Sequence, residues 1–438
     1  MNTKNPHQDS RKTIGVLAGA VVLLSLASAN PLAAAPSATP RRAHPFEKGA
    51  TRLTHHPAPE RLPSETNRPV LAPMAAQWHR LAPKRVRCPT TRSNHTVNIA
   101  IHRIRQAPGR PVLVFIHGVL SDHLTWEYVA AALAADYELW LVDLPGCGDS
   151  DAPKPSAIEP GGYSPTAMGE RVWQALRACL AAEAGASPRP LTQVGHSLGG
   201  TVVIRMVGAP ELQAGYAAEL KHVTRVVLLA PCDLAVNAVP PQFLTLLGLK
   251  GWRVTLGNAL GVFDGKVRDL TKASYHLPEC ATCQQQKCYA HALKDPPHRE
   301  AGKAMLREFV RFDPKTRRPV WPCIDPLVAD YDNIRIPVLI VHGAWDETLP
   351  SAMGHQLKDQ IPGAVLVKLP GRGHSLPTED PLTCANLIQR FQQGWGVNEL
   401  ASGLGVKVYP APAMVGEPPL LSSAVQPGPQ TTTPAALP

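Results

Sequence analysis

The hexapeptide GHSLGG, residues 195–200, is the most informative stretch of this chain of 438 residues. An apolar-led run ends at Val194 and a segment of helical character follows the hexapeptide, so Ser197 stands on a tight turn between a strand and a helix. Such a turn strains the backbone of the serine and exposes its hydroxyl group. Gly195 and Gly199 are needed because side chains there would collide where strand and helix cross. The hexapeptide therefore predicts an exposed, nucleophilic serine.

Apolar runs and helical stretches alternate along the chain. Continuous apolar runs, which are typical of strands covered on both faces, occupy 111–116, 137–142, 191–194, 223–229, 336–341 and 364–369. An apolar and polar alternation at 96–104 predicts a half-buried edge strand. Helices are predicted at 124–135, 165–183, 197–207, 353–360 and 381–393. The pattern predicts an α/β fold with a mostly parallel sheet and helices on both faces.

Composition divides the chain into six predicted segments. About a hundred residues after 231 contain no strand run, only candidate helices at 241–249 and 299–312, which indicates an inserted cap over the sheet. The predicted boundaries are a signal peptide at 1–35, a disordered basic Pro-rich linker at 36–77, core at 78–231, a mainly helical cap at 232–333, core at 334–396 and a disordered Pro-rich tail at 397–438.

The first segment resembles an export signal. Lys4, Arg11 and Lys12 form a basic head, residues 14–29 are apolar and uncharged, and Ala-Ser-Ala at 27–29 offers a cleavage site. The apolar stretch is short for a membrane span, so a cleaved peptide is favoured over an N-terminal anchor. A periplasmic or secreted location is predicted.

The positive charge is concentrated in one part of the chain. The net charge is +10, and residues 36–105 alone hold thirteen Lys or Arg against three Asp or Glu. This basic arm is either a solvated leader or a weak contact with an anionic envelope or membrane surface. Its charges are not interleaved with aromatic residues in the manner of a nucleic-acid surface, so no nucleic-acid partner is expected. The pattern does not determine the oligomeric state.

Nine cysteines are many for a cytosolic enzyme of this size, whereas in an exported protein they indicate disulfides and one odd thiol. Cys280, Cys283 and Cys288 cluster between His276 and His291, a spacing that would also suit zinc. Disulfides are favoured, and the candidate partners outside the cluster are Cys232 and Cys323.

A candidate oxyanion loop ends the first buried strand. In the stretch FIHGVL at 115–120 the His-Gly pair bends the chain so that the amide of Val119 faces the reaction centre. Together with the amide of Leu198 it would form an oxyanion hole. His117 is expected to brace the loop. The turn DLPGCGDS at 143–150 is assigned a structural role, with Cys147 packed as a small side chain.

An acid and a histidine follow the serine in the chain. Asp346 comes after the strand at 336–341, and His374 lies in a glycine-rich loop after the last predicted strand. The order Ser, Asp, His differs from the orders of the chymotrypsin and subtilisin types. Asp233, which follows the strand at 223–229, is the alternative acid.

With these motifs the chain resembles the α/β-hydrolase superfamily over roughly residues 96–396, and within it the cap-bearing branch. The resemblance implies Ser197 as nucleophile, His374 as general base and acid, and Asp346 as the carboxylate that orients it. It implies no cofactor and no catalytic metal. A serine at this turn argues against dehalogenase and epoxide-hydrolase chemistry, for which the superfamily uses aspartate.

The favoured function is hydrolysis of a small carboxylic ester or related acyl substrate through an acyl-enzyme. Acyl transfer and hydrolysis of a carbon–carbon or amide bond with the same triad are the enzymatic alternatives. A non-catalytic binding protein on the same fold is the alternative from another class, less favoured because all three triad residues are present. The sequence does not identify the substrate.

Overall fold

The computed structural model describes residues 78, 81–91, 95–105, 109–183, 189–233, 246–309, 313, 315 and 330–411. The predicted signal peptide and linker lie outside these residues. The strands are β1 (Lys84–Pro89), β2 (Thr96–Ile104), β3 (Val112–Ile116), β4 (Glu138–Val142), β5 (Leu191–His196), β6 (Val223–Leu229), β7 (Val338–Gly343), β8 (Val365–Leu369) and β9 (Lys407–Tyr409).

All nine strands form one sheet in the order β1-β2-β4-β3-β5-β6-β7-β8-β9. Strands β4, β3, β5, β6, β7 and β8 run parallel to their neighbours within this group. The pairings of β1 with β2, β2 with β4 and β8 with β9 are antiparallel. The predicted fold class, a mostly parallel sheet flanked by helices, is confirmed.

The helices between the strands follow the predicted alternation. They are α1 (Glu127–Leu133), α2 (Pro165–Ala181), α3 (Leu198–Gly208), α4 (Pro210–Gly215), α5 (Ala217–Leu220), α6 (Gly251–Ala259), α7 (Phe263–Lys272), α8 (Cys283–Lys294), α9 (Pro296–Phe309), α10 (Ala352–Gln360), α11 (Leu376–Glu379), α12 (Pro381–Gln392) and α13 (Val397–Leu400). Short 3-10 turns lie at His123–Trp126, Pro155–Ala157, Pro278–Cys280 and Asp330–Asn333. None of the helices within the described ranges is long and apolar enough to cross a membrane.

The sheet separates two hydrophobic cores, because side chains alternate between its faces. In β3, Val112, Val114 and Ile116 face the core shared with α2, α3 and α10. Leu113 and Phe115 face the other core, which α1 and α12 cover. Every residue of β3 is buried, which explains why the parallel strands read as continuous apolar runs.

Helices α6 to α9 occupy the stretch interpreted as a cap. The inner part of this cap packs on the main core through Ala301, Met305 and Phe309 of α9. Its outer part has a smaller apolar cluster that includes Val267 and Leu293. The cap is therefore continuous with the body of the protein at α9.

The structure differs from the sequence prediction at both edges of the sheet. Strand β1 was not assigned as a strand, although Val86 and Cys88 alternate there with exposed arginines. Strand β9 and helix α13 lie in the stretch predicted as a disordered tail from residue 397. Strand β9 is ordered by pairing with β8 through Lys368 and Lys407, a tertiary interaction that composition does not reveal.

The predicted disulfides are not found among the described cysteines, all eight of which are free thiols. Cys232 belongs to the main core, whereas Cys280 lies in a separate small cluster with Tyr275. Cys283 and Cys288 are five residues apart on α8 and therefore do not share a helix face. Cys323, the other candidate partner, lies outside the described residues.

Candidate active site

Ser197 occupies the turn between β5 and α3 in a strained backbone conformation. Its φ of 53° and ψ of −123° lie in a region that residues other than glycine rarely adopt. Backbone hydrogen bonds to the end of β6 and the residues after it hold this turn. The N–H of Ser197 donates to the carbonyl of Leu229, and the carbonyl of Ser197 accepts from the N–H of Cys232. Ser197 lines a cavity but is itself buried, with 5% of its surface exposed, so the structure does not bear out the prediction of an exposed hydroxyl.

The two glycines that flank the serine make the crossing of strand and helix sterically feasible. A Cβ atom on Gly195 would lie 2.5 Å from the carbonyl oxygen of Gly199. A Cβ atom on Gly199 would lie 2.2 Å from the carbonyl oxygen of Ile116 and 2.4 Å from that of His117. These contacts are with backbone atoms, which cannot rotate away, so the collision predicted from the sequence is present.

The structure brings Ser197, His374 and Asp346 into one chain of hydrogen bonds. The Oγ of Ser197 lies 3.0 Å from Nε2 of His374, and Nδ1 of His374 lies 2.9 Å from Oδ2 of Asp346. A carboxylate only accepts, so Nδ1 carries the proton and Nε2 is left to accept from the serine hydroxyl. This is the tautomer that a histidine needs to act as a base toward a serine.

Both oxygens of the Asp346 carboxylate are held by contacts with neighbouring groups. Its Oδ1 accepts from the backbone N–H groups of Thr348 and Leu349 at 2.9 and 2.7 Å. Its Oδ2 also lies 3.2 Å from Nε2 of His342. Burial raises the pKa of Asp346, but the charge of His374 and the hydrogen bonds from both histidines outweigh this effect and hold the pKa far below its ordinary value. Asp346 therefore remains ionised and can stabilise an imidazolium at His374.

The alternative acid, Asp233, is engaged elsewhere. Its Oδ2 lies 3.7 Å from Nη2 of Arg205, a buried arginine that also pairs with Asp330 at 2.8 Å. In the described part of the chain the hydrogen-bond partner of His374 Nδ1 is Asp346. The geometry accordingly favours Asp346 over Asp233 as the orienting carboxylate.

Both predicted oxyanion donors lie beside the serine. Leu198 is the first residue of α3, where backbone N–H groups lack partners within the helix. Val119 lines the same cavity as Ser197. The loop approaches the serine so closely that a Cβ atom on Gly118 would lie 3.1 Å from Cβ of Ser197. Leu120 has a φ of 57°, which marks the sharp bend after these residues.

His117 braces this loop, as expected. The N–H of Leu144 donates to Nε2 of His117 at 3.1 Å, so Nδ1 carries the proton and donates to the carbonyl of Gly118 at 2.7 Å. Burial lowers the pKa of His117 and keeps the ring neutral. A neutral ring with both nitrogens satisfied is a structural support rather than a proton carrier.

Two further histidines, His196 and His342, were not predicted as parts of the site. His196 Nε2 donates to the carbonyl of His374 at 3.0 Å and thus fixes the backbone of the catalytic histidine. Burial, reinforced by the nearby His374, lowers the pKa of His196 to about 3, so the ring is neutral. His342 contacts Asp346 directly, with its Nε2 3.2 Å from Oδ2 of the carboxylate and 3.1 Å from the carbonyl oxygen of Leu349. His196 is visible in the hexapeptide, but the residue that it contacts, His374, lies 178 residues further along the chain, so the sequence alone does not reveal the contact.

The cap holds the loop that carries His374. The backbone N–H groups of His374 and Ser375 both donate to the carbonyl of Ser274, at 3.0 and 3.2 Å. Glu379 accepts from the N–H of Leu277 in the cap and from that of Gly373 in the loop, at 2.7 and 2.8 Å. The position of His374 therefore depends on the segment between α7 and α8.

A cavity of about 310 Å³ lies between the triad and the cap. Ser197 and His374 line its floor, and Arg253 and Lys266 are the charged residues in its lining. Its apolar lining comes mainly from Leu249, Val262, Phe263, Val267, Leu270 and Leu293. The arrangement presents a nucleophile, a base and two amide donors at one end of an apolar chamber, which is suited to attack on a carbonyl group.

The cysteine cluster at 280–288 does not assemble a metal site with its flanking histidines. Within the described ranges one group of side chains could hold a metal ion, and it consists of His102, His123, Asp143 and Asp149. Asp143 belongs to the turn that the sequence analysis assigned a purely structural role.

The chain belongs to the alpha/beta hydrolase family, whose sequence model matches residues 113–387. This match confirms the resemblance inferred from the motifs, and it contains Ser197, Asp346 and His374. The matched segment also includes the whole of the described cap.

Individual relatives are more distant. The chain is 27% identical over 328 residues to an uncharacterized protein of Mycobacterium tuberculosis, and the aligned region covers 73% of this chain and 86% of that protein. It is 30% identical over 304 residues to a pimeloyl-[acyl-carrier protein] methyl ester esterase of Aeromonas salmonicida, covering 67% and 99% respectively. A solved serine hydrolase of Cycloclasticus zankles is 17% identical with a TM-score of 0.51, covering 72% of this chain and 99% of that one. The last likeness shows the fold alone.

The hydrogen-bond chain predicts different consequences for the two candidate acids. Asp346→Asn should lower the rate at which a fluorophosphonate labels Ser197 by about 10⁴-fold, because the wrong tautomer of His374 is then favoured. Ser197 of the Asp233→Asn variant should be labelled at nearly the wild-type rate. Both variants are assayed well below their Tm values, which are measured by circular dichroism. Fast labelling of Asp346→Asn together with slow labelling of Asp233→Asn would reverse the assignment.

Proposed function

We propose that this chain is an exported serine hydrolase that cleaves carboxylic esters through an acyl-enzyme on Ser197. The observation that carries the proposal is the hydrogen-bond chain from Ser197 through His374 to Asp346 at the floor of an apolar cavity. The family is compatible with several reactions, so the choice of an ester rests on the chamber and on this chemistry.

In the first half-reaction His374 Nε2 takes the proton of Ser197 as Oγ attacks the carbonyl carbon of the ester. The negative charge moves to the carbonyl oxygen, to which the amides of Val119 and Leu198 would donate. Loss of one such donor typically raises the barrier by about 3 kcal/mol. Collapse of the tetrahedral intermediate breaks the bond to the alkoxy oxygen, and His374 returns the proton to the departing alcohol.

In the second half-reaction water replaces the alcohol. His374 removes a proton from water, the resulting hydroxide attacks the acyl carbon, and the carboxylic acid leaves as Ser197 is reprotonated. Asp346 stabilises the imidazolium in both halves without being protonated, consistent with its strongly lowered pKa. The residues of this chain supply every proton transfer in the scheme.

The apolar lining favours an acyl group of moderate length. Leu270 and Val267 are on one helix of the cap, and Leu293 is on another, so they face the triad from across the cavity. The cavity volume of about 310 Å³ is at the lower end of the range of about 300–1,000 Å³ for small-molecule sites. A medium-chain acyl group therefore fits this chamber better than a large polar substrate does.

Export is proposed on the basis of residues 1–35, which lie outside the described part of the chain. When the full chain is produced in a Gram-negative host, the mature protein should begin at or shortly after Asn30 and should appear in the periplasm or the medium. N-terminal sequencing of the fractionated cells measures this directly. A protein that retains residues 1–29 in the membrane fraction would indicate an anchor instead.

Hydrolysis of p-nitrophenyl esters from acetate to palmitate tests the activity. The wild-type protein should turn over these esters with an optimum at medium chain length, and Ser197→Ala should reduce turnover by about 10⁶-fold, to the level of the buffer. The variant is conservative in volume and should keep the wild-type Tm.

The outcomes of this assay separate the alternatives. Ester turnover retained by Ser197→Ala would contradict the assignment of the nucleophile. Labelling of Ser197 by a fluorophosphonate without turnover of any ester would contradict the ester proposal and favour acyl transfer or cleavage of a carbon–carbon or amide bond. A wild-type protein that neither labels nor turns over would indicate a binding protein.

A charge in the cavity lining should discriminate between long and short esters. Leu270 lines the cavity and Leu256 does not, although both are partly exposed, at 47% and 37%. Leu270→Glu should lower kcat/KM for decanoate and longer esters by about tenfold or more, because an apolar chain would desolvate the new carboxylate. Acetate hydrolysis should change by less than about twofold, and Leu256→Glu should leave both rates near wild type. An equal loss for acetate and decanoate would place the acyl chain elsewhere.

A further inference from the structure

A compact group of two histidines and two aspartates lies behind the oxyanion loop and outside the proposed catalytic chemistry. His102 is in β2, and His123 begins the 3-10 turn that follows the oxyanion loop. Asp143 and Asp149 flank the glycine-rich turn after β4. One potential ligand atom from each side chain lies within 4.8 Å of all the others.

The measured separations match those of a four-coordinate metal ion. Nε2 of His102 lies 3.2 Å from Oδ2 of Asp143 and 3.3 Å from Oδ2 of Asp149. Nδ1 of His123 lies 3.1 Å from Oδ2 of Asp143. A tetrahedral zinc ion with bonds of about 2.0–2.1 Å separates its ligand atoms by about 3.3–3.4 Å. Three edges of the required tetrahedron are thus formed to within a few tenths of an ångström.

The ring nitrogens of His102 are already placed for ligation. Its Nδ1 lies 3.3 Å from the carbonyl oxygen of Leu81, which only accepts, so Nδ1 donates to it. Its Nε2 lies within hydrogen-bond distance of the Asp143 carboxylate and beside that of Asp149. The ring of His123 is stacked on that of His102, with centroids 3.5 Å apart. A divalent cation among the four side chains would replace the contact between Nε2 and the carboxylates and would neutralise both carboxylates.

Neighbouring groups hold the candidate ligands in place, as they do around bound metal ions. A metal-bound histidine usually donates its other N–H to a backbone carbonyl or carboxylate, as His102 does to Leu81. Asp143 is oriented by the backbone N–H groups of His123 and Asp149, at 2.7 and 2.9 Å. Gly148 is required beside it, because a Cβ atom there would lie 2.4 Å from the Asp143 carboxylate.

The group is buried on one side and open on the other. His102 and Asp143 are buried in the protein, whereas the side chain of Asp149 is 46% exposed. An ion could therefore enter from solvent at Asp149 and be held from within by the other three ligands. Two imidazoles among the ligands exclude a calcium site, which uses oxygen ligands, and favour zinc.

We propose that His102, His123, Asp143 and Asp149 form a structural zinc site that ties the oxyanion loop to β2 and to the turn after β4. The ion would be held by two imidazole nitrogens and two carboxylate oxygens, with no water required for four-coordination. The site is separate from the triad, and its occupancy is independent of the substrate proposed above. The expectation from sequence that there is no catalytic metal is unaffected, and the site differs from the zinc alternative considered for Cys280, Cys283 and Cys288.

The test uses the full-length mature protein stripped of metal by dialysis against a chelator. Addition of Zn²⁺ should restore one ion per chain, measured by inductively coupled plasma mass spectrometry, and should raise the Tm by about 5 °C or more. Replacement by Co²⁺ should give the intense visible bands of a four-coordinate ion without a thiolate charge-transfer band. A wild-type chain that binds no Zn²⁺ and shows no change in Tm would overturn the proposal.

Three variants locate the ion. Asp149→Asn should weaken zinc binding by about tenfold or more, because it removes an ionised ligand that is exposed and not needed for packing. Asp151→Asn makes the same change two residues away, at an aspartate that accepts hydrogen bonds from Asn98, and should bind zinc as the wild type does. Cys283→Ser should also bind normally. Wild-type affinity in Asp149→Asn, loss of zinc in Cys283→Ser, or a thiolate band in the Co²⁺ spectrum would each overturn the assignment.

Discussion

The close crossing of β5, α3 and the end of β3 is the constraint on which the arrangement of the site depends. Gly199 approaches the carbonyl of Ile116 so closely that no side chain is tolerated, and Ser197 takes up the resulting backbone strain. Because the end of β3 is fixed against α3, the loop that begins at His117 is fixed against the serine. A single backbone contact thus positions both Ser197, the proposed nucleophile, and Val119, one of the proposed oxyanion donors.

The sequence predicted the parts of the fold whose signal is local. The buried parallel strands were recognised because both faces are covered, as in β3 and β7, so their residues are continuously apolar. Ser197, Asp346 and His374 were recognised because each follows such a strand, and parallel strands direct their carboxyl ends to one edge of the sheet. The distances of 3.0 and 2.9 Å within this triad fit the roles that the motif order implied.

Features that depend on tertiary contacts were not predicted. The pairing of β9 with β8 joins segments about forty residues apart and orders a stretch whose composition resembles a tail. The prediction of disulfides assumes an oxidising compartment, whereas in the structure Cys88, Cys179 and Cys232 are small buried side chains, as the sequence had predicted only for Cys147. His102, His123 and Asp143 are separated by about twenty residues each, with none of the short spacings that mark metal motifs, so only the fold shows that they meet.

The cap contacts both loops that carry the proposed chemistry, and this makes it more than a cover over the cavity. On one side Ser274 accepts hydrogen bonds from the backbone of the His374 loop. On the other side Leu120 of the oxyanion loop packs into the apolar cluster of the cap, against Gly302 of α9. A displacement of the cap would therefore shift the base and the oxyanion donors together. A ligand that fills the chamber between these loops would act on the same contacts, so its binding and the alignment of Ser197, His374 and Asp346 would be physically coupled.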